Sequence, residues 1–168
     1  EATRGQNAWF REQGWRAIFV DPQELIRGRL DTDRVVAEAA GQLEASRPVL
    51  VTTSAAPDEV AQVQNWARAQ GMTPEDLGRA ISSALAALAH RILERAPAAG
   101  LVVAGGETAG ALCRGLALGA LAVGGNIEPG VPLCRALGRF PIPVVLKSGN
   151  FGSRDFYGRA LRAIASLS

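Results

Sequence analysis

The sequence predicts an α/β protein, a layered α/β/α domain with a mostly parallel sheet. Three observations predict it. Short apolar runs that read as buried strands alternate with longer helical patterns along the whole chain. The run Leu101-Val102-Val103-Ala104 passes straight into Gly105-Gly106-Glu107-Thr108-Ala109-Gly110 and then into a helical pattern, the order of a strand–turn–helix unit. A second apolar run, Ile142–Leu146, ends in another glycine-rich segment, Lys147–Gly152. Ligands of open α/β sheets bind outside the carboxyl ends of strands, where both glycine segments would lie.

Taken in order, Thr3–Gln13 reads as a helix with Thr3 as its cap and Gly14 as its stop. Trp15–Asp21 reads as a strand ended by Pro22, and Gln23–Gly28 as a short turn or helix. Asp31 or Asp33 starts a helix that runs to about Ser46, and Pro48–Thr53 is a second strand. Asp58–Gln70 has a weaker helical period and stops at Gly71. Thr73-Pro74-Glu75-Asp76 is a helix start with Pro at the first helical position. Its helix carries the stripe Leu77, Ile81, Leu85, Leu88, Ile92 and Leu93 and ends near Pro97. After the central strand and helix come a strand at Ala120–Val123 and a long rigid loop, Gly124–Pro132. A helical turn is expected at Pro132–Leu137, then the strand Ile142–Leu146, then a closing helix from Asp155 to Leu167.

Composition narrows the function. The chain has 168 residues, the size of one domain, and 48% apolar against 20% charged residues marks it as globular. A net charge of +2 with 5% aromatics lacks the dense basic, stacking surface of a nucleic-acid binder. No apolar run reaches the ~18 residues of a membrane span. Cys113 and Cys134 form no framework and read as reduced thiols of a cytoplasmic protein. His90 is the single histidine, sits in a helical run, and reads as a packing or surface residue. The opening Glu1-Ala2-Thr3, with no initiator Met and no signal peptide, is what a piece of a longer protein would show.

The glycine segments carry the chemistry. A strand-to-helix turn points backbone N–H groups and the positive helix end at one spot, which suits a phosphate. Glycines at Gly105 and Gly106 also serve turning and packing alone, and the turn is neither a Walker loop nor a dinucleotide fingerprint. Lys147 ends a buried strand, where its charge calls for a partner: an anionic phosphate, or a local acid such as Glu107 or Glu128. Ser148, Gly149, Asn150 and Gly152 offer hydroxyl, amide and backbone donors; Asp155 or Ser153 would cap the following helix. Glu128 could hold Mg²⁺ through water, or bond backbone N–H groups and fix the shape of its loop. With no Ser-His-Asp set in reach, phosphoryl transfer suits these residues, because it asks for positioning and charge neutralisation more than for a reactive side chain.

Three motifs in this order, Gly105–Gly110, Glu128-Pro129-Gly130-Val131-Pro132, and Leu146–Gly152 with Asp155-Phe156 after it, resemble the four-carbon acid sugar kinase family. Thr3-Arg4-Gly5-Gln6 resembles the family's Thr-x-x-Gln helix, whose preceding Gly-Ser-x-Ser turn does not occur in this sequence. The resemblance spans nearly the whole chain and corresponds to the family's C-terminal, nucleotide-binding domain, so residues 1–168 are expected to be one domain of a longer two-domain kinase. It implies ATP and Mg²⁺ as cofactors and an acid sugar of tetronate, threonate or erythronate type, phosphorylated on its terminal hydroxyl and bound mainly by an N-terminal domain outside this sequence. It implies that Gly105, Gly106, Glu107 and Thr108 contact ATP, as do Gly149 and its neighbours in the second loop; the expected cofactor-binding set is completed by Ala109, Gly110, Ser148, Asn150 and Gly152. Ala109 stands where many members have Ser, which removes one hydroxyl.

On this reading Lys147 neutralises phosphate charge and Asp155 orders a metal or water, both as catalytic residues, while Glu128 is the metal candidate. A homo-oligomer is compatible with it. The rivals are a non-catalytic nucleotide or sugar-phosphate binding module, and a secreted effector, since some relatives carry the name Hrp-dependent type III effector.

Overall fold

The computed structural model describes residues 2–149 and 151–167; Asn150, one of the expected ligand residues, lies outside them. The elements run α1 (Ala2–Glu12), β1 (Arg16–Phe19), α2 (Pro22–Ile26), α3 (Thr32–Glu44), β2 (Val49–Thr52), α4 (Pro57–Ala69), α5 (Pro74–Arg95), β3 (Leu101–Ala104), α6 (Gly106–Gly115), β4 (Ala120–Glu128), β5 (Val131–Leu137), β6 (Pro143–Lys147) and α7 (Phe156–Ala165). Local chemistry sets the starts. Asp21 accepts the N–H groups of Gln23 and Glu24 at 2.8 and 3.1 Å ahead of α2. Asp31, one of the two expected starters, caps α3 through the Arg34 N–H at 2.9 Å. Thr73 and Asp76 cap α5 reciprocally. Thr3 does not cap α1; it sits inside the first turn, and its hydroxyl goes elsewhere.

The α/β class and the parallel pairing of the expected strands are present, and the sheet differs from expectation in one region. β1 pairs parallel with β2, and β3 pairs parallel with β6. The four-stranded sheet then continues β3-β6-β5-β4 with antiparallel steps. The sheet is therefore mixed. Pro132–Leu137, expected as a helical turn, is strand β5, and the expected rigid loop Gly124–Pro132 is the end of β4, a tight turn and the start of β5. Glycines at Gly124 and Gly125 and prolines at Pro129 and Pro132 hide this hairpin, because each disfavours a strand locally. Tertiary packing overrides them: Val131, Cys134 and Ala136 turn inward while Arg135 and Leu137 stay exposed.

Helices cover both faces. On one, α1 and α7 bury Phe10, Phe156, Tyr157, Ala160 and Ile164 against Val131 and Val145, with Leu50 of β2 and Val102 of β3 in the same cluster. On the other, α6 lays Leu112 and Leu116 over Val103 and Val144, and α3 and α5 lay Val35, Val36, Leu88 and Ile92 over Ile18. Each fully buried Val or Leu contributes about 1.5–3 kcal/mol. β1 and β2 thus join the other strands through packing, and α1 bonds both the end of β2, through Asn7 to Thr52, and the segment after β6, through Thr3 to Gly149. His90 lies edge-on to Phe140 and 3.3 Å from Glu94, a packing position, and both cysteines are free. Among the described residues no helix is long and apolar enough to cross a membrane.

Candidate functional site

The two glycine segments leave adjacent strands. Ala104 of β3 and Lys147 of β6 are register partners, and the Gly105 N–H donates to the Lys147 carbonyl at 2.9 Å. Gly105 has φ 126° and ψ 125°, a conformation that needs a residue without Cβ. The chain can therefore reverse from β3 into α6 within one residue. The first bond of α6 runs from the Ala109 N–H to the Gly105 carbonyl at 2.8 Å. The N–H groups of Gly106, Glu107 and Thr108 have no acceptor within the helix. A Cβ on Gly106 would meet nothing within 4 Å, so the space over the turn is open.

Other members of the turn face elsewhere. Ala109 is 9% exposed, packs in the core beside Leu112, and spends its N–H on Gly105. Its N–H is thus committed to the helix and its methyl to the core. Gly110 lies inside α6 beside Arg114. The Glu107 carboxylate lies over α5, where a Cβ on Gly78 would come within 2.5 Å of Oε2. Thr108 Oγ1 is 3.4 Å from Ser82 Oγ of α5.

Lys147 is 2% exposed, and burial pushes its ammonium below the ordinary value, with Glu128 acting in the opposite sense. It pairs with neither Glu107 nor Glu128 among the described residues. Nζ instead reaches the Ser148 carbonyl at 3.2 Å, the Gly149 carbonyl at 3.4 Å and Thr3 Oγ1 at 3.4 Å. Thr3 donates to the same Gly149 carbonyl at 2.9 Å. Gln6, fully buried, donates from Nε2 to the carbonyls of Phe151, Gly152 and Ser153 at 3.0–3.1 Å. Five carbonyls of the loop are thus drawn inward onto one ammonium, one hydroxyl and one amide. In a trans peptide the following N–H points the opposite way. The N–H groups of Gly149 and Gly152 are accordingly turned outward. That of Ser153, also outward, is filled by Glu128 Oε2 at 3.0 Å, so the loop's outer face already accepts one anionic oxygen.

Glu128 and Asp155 meet at Ser153. Its Oγ lies 2.6 Å from Glu128 Oε1 and 2.7 Å from Asp155 Oδ1, and its single proton can serve one at a time. Arg159 adds a 3.0 Å ion pair to Glu128. The Ser153 hydroxyl, then nearby arginines, hold the Asp155 carboxyl below its ordinary value. Asp155 occupies the cap position of α7 without a side-chain cap bond. Glu128 clamps the loop through the Ser153 N–H and hydroxyl, and among the described residues no group of three or more His, Cys, Asp or Glu side chains forms. Two carboxylates and a hydroxyl are nevertheless the hard oxygen donors that Mg²⁺ takes when phosphates and water complete its shell.

Sequence reasoning missed Asn7. Its Nδ2 donates to Thr52 Oγ1 at 3.0 Å, and its Oδ1 accepts the Tyr157 hydroxyl at 3.0 Å. The available signal was the i, i+3, i+4 spacing of Thr3, Gln6 and Asn7, which places three polar side chains on one face of α1.

The chain matches the family model of the nucleotide-binding C-terminal domain over residues 1–157. It is 42% identical over 163 residues to a 3-oxo-tetronate kinase of Cupriavidus necator, covering 97% of this chain and 36% of that protein. It is 33% identical over 165 residues to a 3-oxo-isoapionate kinase of Paraburkholderia graminis, covering 93% of this chain and 35% of that protein. A Haemophilus influenzae protein of family DUF1537 superposes with a TM-score of 0.82 at 25% identity, over 97% of this chain and 38% of its own. A DUF1537 domain from Bordetella bronchiseptica, solved with bound citrate as a domain-swapped dimer, superposes at 0.67 with 27% identity, over 97% of this chain and 36% of its own. The chain spans little more than a third of the length of these relatives.

Proposed function

The chain belongs to the family of nucleotide-binding C-terminal domains, and from that premise we propose that residues 1–168 are the ATP-binding domain of a longer two-domain kinase. Its acceptor would be a four-carbon acid sugar of tetronate, threonate or erythronate type, phosphorylated on the terminal hydroxyl. The two relatives named as kinases of 3-oxo acid sugars support the acceptor class. The observation that carries the nucleotide reading is the convergence of two donor sets on one edge: the free N–H groups of Gly106, Glu107 and Thr108 beside the outward N–H groups of Gly149 and Gly152, joined through the Gly105–Lys147 hydrogen bond.

The triphosphate lies between the two loops, taking the α6 donors on one side and the 148–152 segment on the other. Lys147 neutralises charge from behind the loop, where its ammonium holds the Ser148 and Gly149 carbonyls inward and so helps present the following N–H groups outward. Asp155 and Glu128 are the residues that would hold Mg²⁺, with phosphate oxygens and water completing its shell. When bound, the ion supplies charge neutralisation to the transferring group. The acceptor and its base come from the other domain, and the whole protein works in the cytoplasm. A homo-oligomer fits the precedent of the Bordetella relative.

The test is a phosphotransfer screen with the full-length protein, Mg·ATP and a panel of four-carbon acid sugars, read as ADP release and a new phosphomonoester signal in ³¹P NMR. Turnover with at least one tetronate-type acid is expected. ATP binding without transfer to any of them contradicts the acceptor class.

A further inference from the structure

The segment after β2 is used by nothing described so far, yet α1 ties it to the same edge. Thr3 and Asn7 are about one helical turn apart on α1, about 6 Å along the axis. Thr3 bonds Gly149 of the second glycine loop, and Asn7 bonds Thr52 at the end of β2. The carboxyl end of β2 therefore lies about one helical turn from that loop, with Leu50 and Val102 packed in one cluster behind it. Its geometry is fixed by a buried chain: the Tyr157 hydroxyl donates to Asn7, Asn7 to Thr52 Oγ1, and the Ser54 N–H to the same Thr52 oxygen at 3.0 Å. Such a network positions the backbone that follows it.

What it positions is Thr53 and Ser54, both half-buried. No hydrogen-bond partner is seen for either side-chain hydroxyl among the described residues. Next in the chain come Ala55, Ala56 and α4, whose first turn carries Asp58 and Glu59, with Glu59 holding the Ala56 N–H at 2.8 Å. Two carboxylates beside the segment repel a phosphate or an acid sugar carboxylate. A neutral, hydroxyl-bearing group is not repelled, and neutral hydroxyls pair with it well.

We infer that Thr53 and Ser54 form a third arm of the site that binds the ribose hydroxyls of the nucleotide, while the two glycine loops hold its phosphates. The inference rests on the nucleotide reading above. It adds a ligand portion and two residues, and it gives the Tyr157–Asn7–Thr52 chain a positioning role.

The test uses the full-length protein and a double variant, Thr53→Val with Ser54→Ala, which removes both hydroxyls and keeps the backbone bond to Thr52. Calorimetry measures ATP, 2′,3′-dideoxyadenosine triphosphate and tripolyphosphate, each with Mg²⁺, and thermal unfolding checks the fold. The parent should prefer ATP over the dideoxy analogue by about five- to tenfold, the value of one or two neutral hydrogen bonds. The double variant should bind the two nucleotides equally, with tripolyphosphate within about twofold of the parent. The same preference in parent and variant overturns the inference and leaves the nucleotide site standing. So does an equal loss for all three ligands. A folded parent that binds none of them overturns the nucleotide reading, and this inference with it.

Discussion

The Gly105 N–H lies 2.9 Å from the Lys147 carbonyl, and this bond joins the two glycine segments 42 positions apart in the chain. It extends the parallel β3–β6 ladder by one step and fixes the first turn of α6 against the loop that follows β6. The site is thus a property of two strand ends held in register. A change at either end should be felt at both.

Gly105→Ala tests that coupling. At φ 126° a Cβ is strained whatever the space around it, and Thr108 stands 3.5 Å from where it would sit. A penalty of about 1–3 kcal/mol is expected. Chemical denaturation should show it, together with weakened nucleotide binding. Unchanged stability would mean that the turn has another conformation.

Gln6→Leu should release the second loop. Three carbonyls lose their donor, and the buried amide goes with them. A loss of about 2 kcal/mol is expected, or about 4–8 °C in Tm. Hydrogen exchange should rise locally at Phe151–Ser153. A rise confined to other segments would contradict the clamp.

Lys147→Met separates charge from packing. The ammonium is buried against neutral oxygens, and its lowered pKa records the cost of burying it. An apolar side chain of similar length should leave the fold within about 1 kcal/mol of the parent. Nucleotide affinity should fall about tenfold or more as a positive charge behind the phosphates is removed. Unchanged affinity in a folded variant would limit Lys147 to architecture.

Tyr157 is the single tyrosine, and burial pushes its hydroxyl up to about 12 from an ordinary 10.0. The folded state therefore holds that proton more tightly than the unfolded one. The resulting stability is fully present below pH 10 and is lost as pH rises through 12; two units correspond to about 3 kcal/mol. Lys147 has the opposite sign, since its lowered value makes folding less costly as pH rises toward 10.5. The difference between the parent and Tyr157→Phe isolates the tyrosine. Absorbance near 295 nm should show a midpoint near 12 in the folded parent and none in the variant. A midpoint near 10 with the fold intact would contradict the buried Tyr157–Asn7 bond.

Much of this was legible because some segments decide their structure locally. The Leu101–Gly110 junction and the Thr73-Pro74 helix start carry turn and cap chemistry in their own residues, and both stand where the sequence places them, as does the end of β6 at Lys147. The β4–β5 hairpin does not, because Gly124, Gly125, Pro129 and Pro132 argue against strands and only packing against β6 restores them. The roles of Gln6 and Asn7 depend on partners about 145 residues away. Lys147 also shows the limit: its burial could be read from the sequence, but its choice of carbonyls over an acid required the fold.

The most direct measurement is calorimetric titration of Mg·ATP into the full-length protein and its Gly106→Val variant. A Cβ at Gly106 would meet no atom within 4 Å beyond its chain neighbours and its own helix backbone, so the fold should tolerate a valine there while the space over the α6 donors is filled. Binding by the parent, with loss of about tenfold or more in a variant of unchanged far-UV spectrum, is the predicted result. Equal binding by both would remove the nucleotide from the Gly105–Gly110 turn. No binding by the folded parent would leave the two glycine loops as architecture.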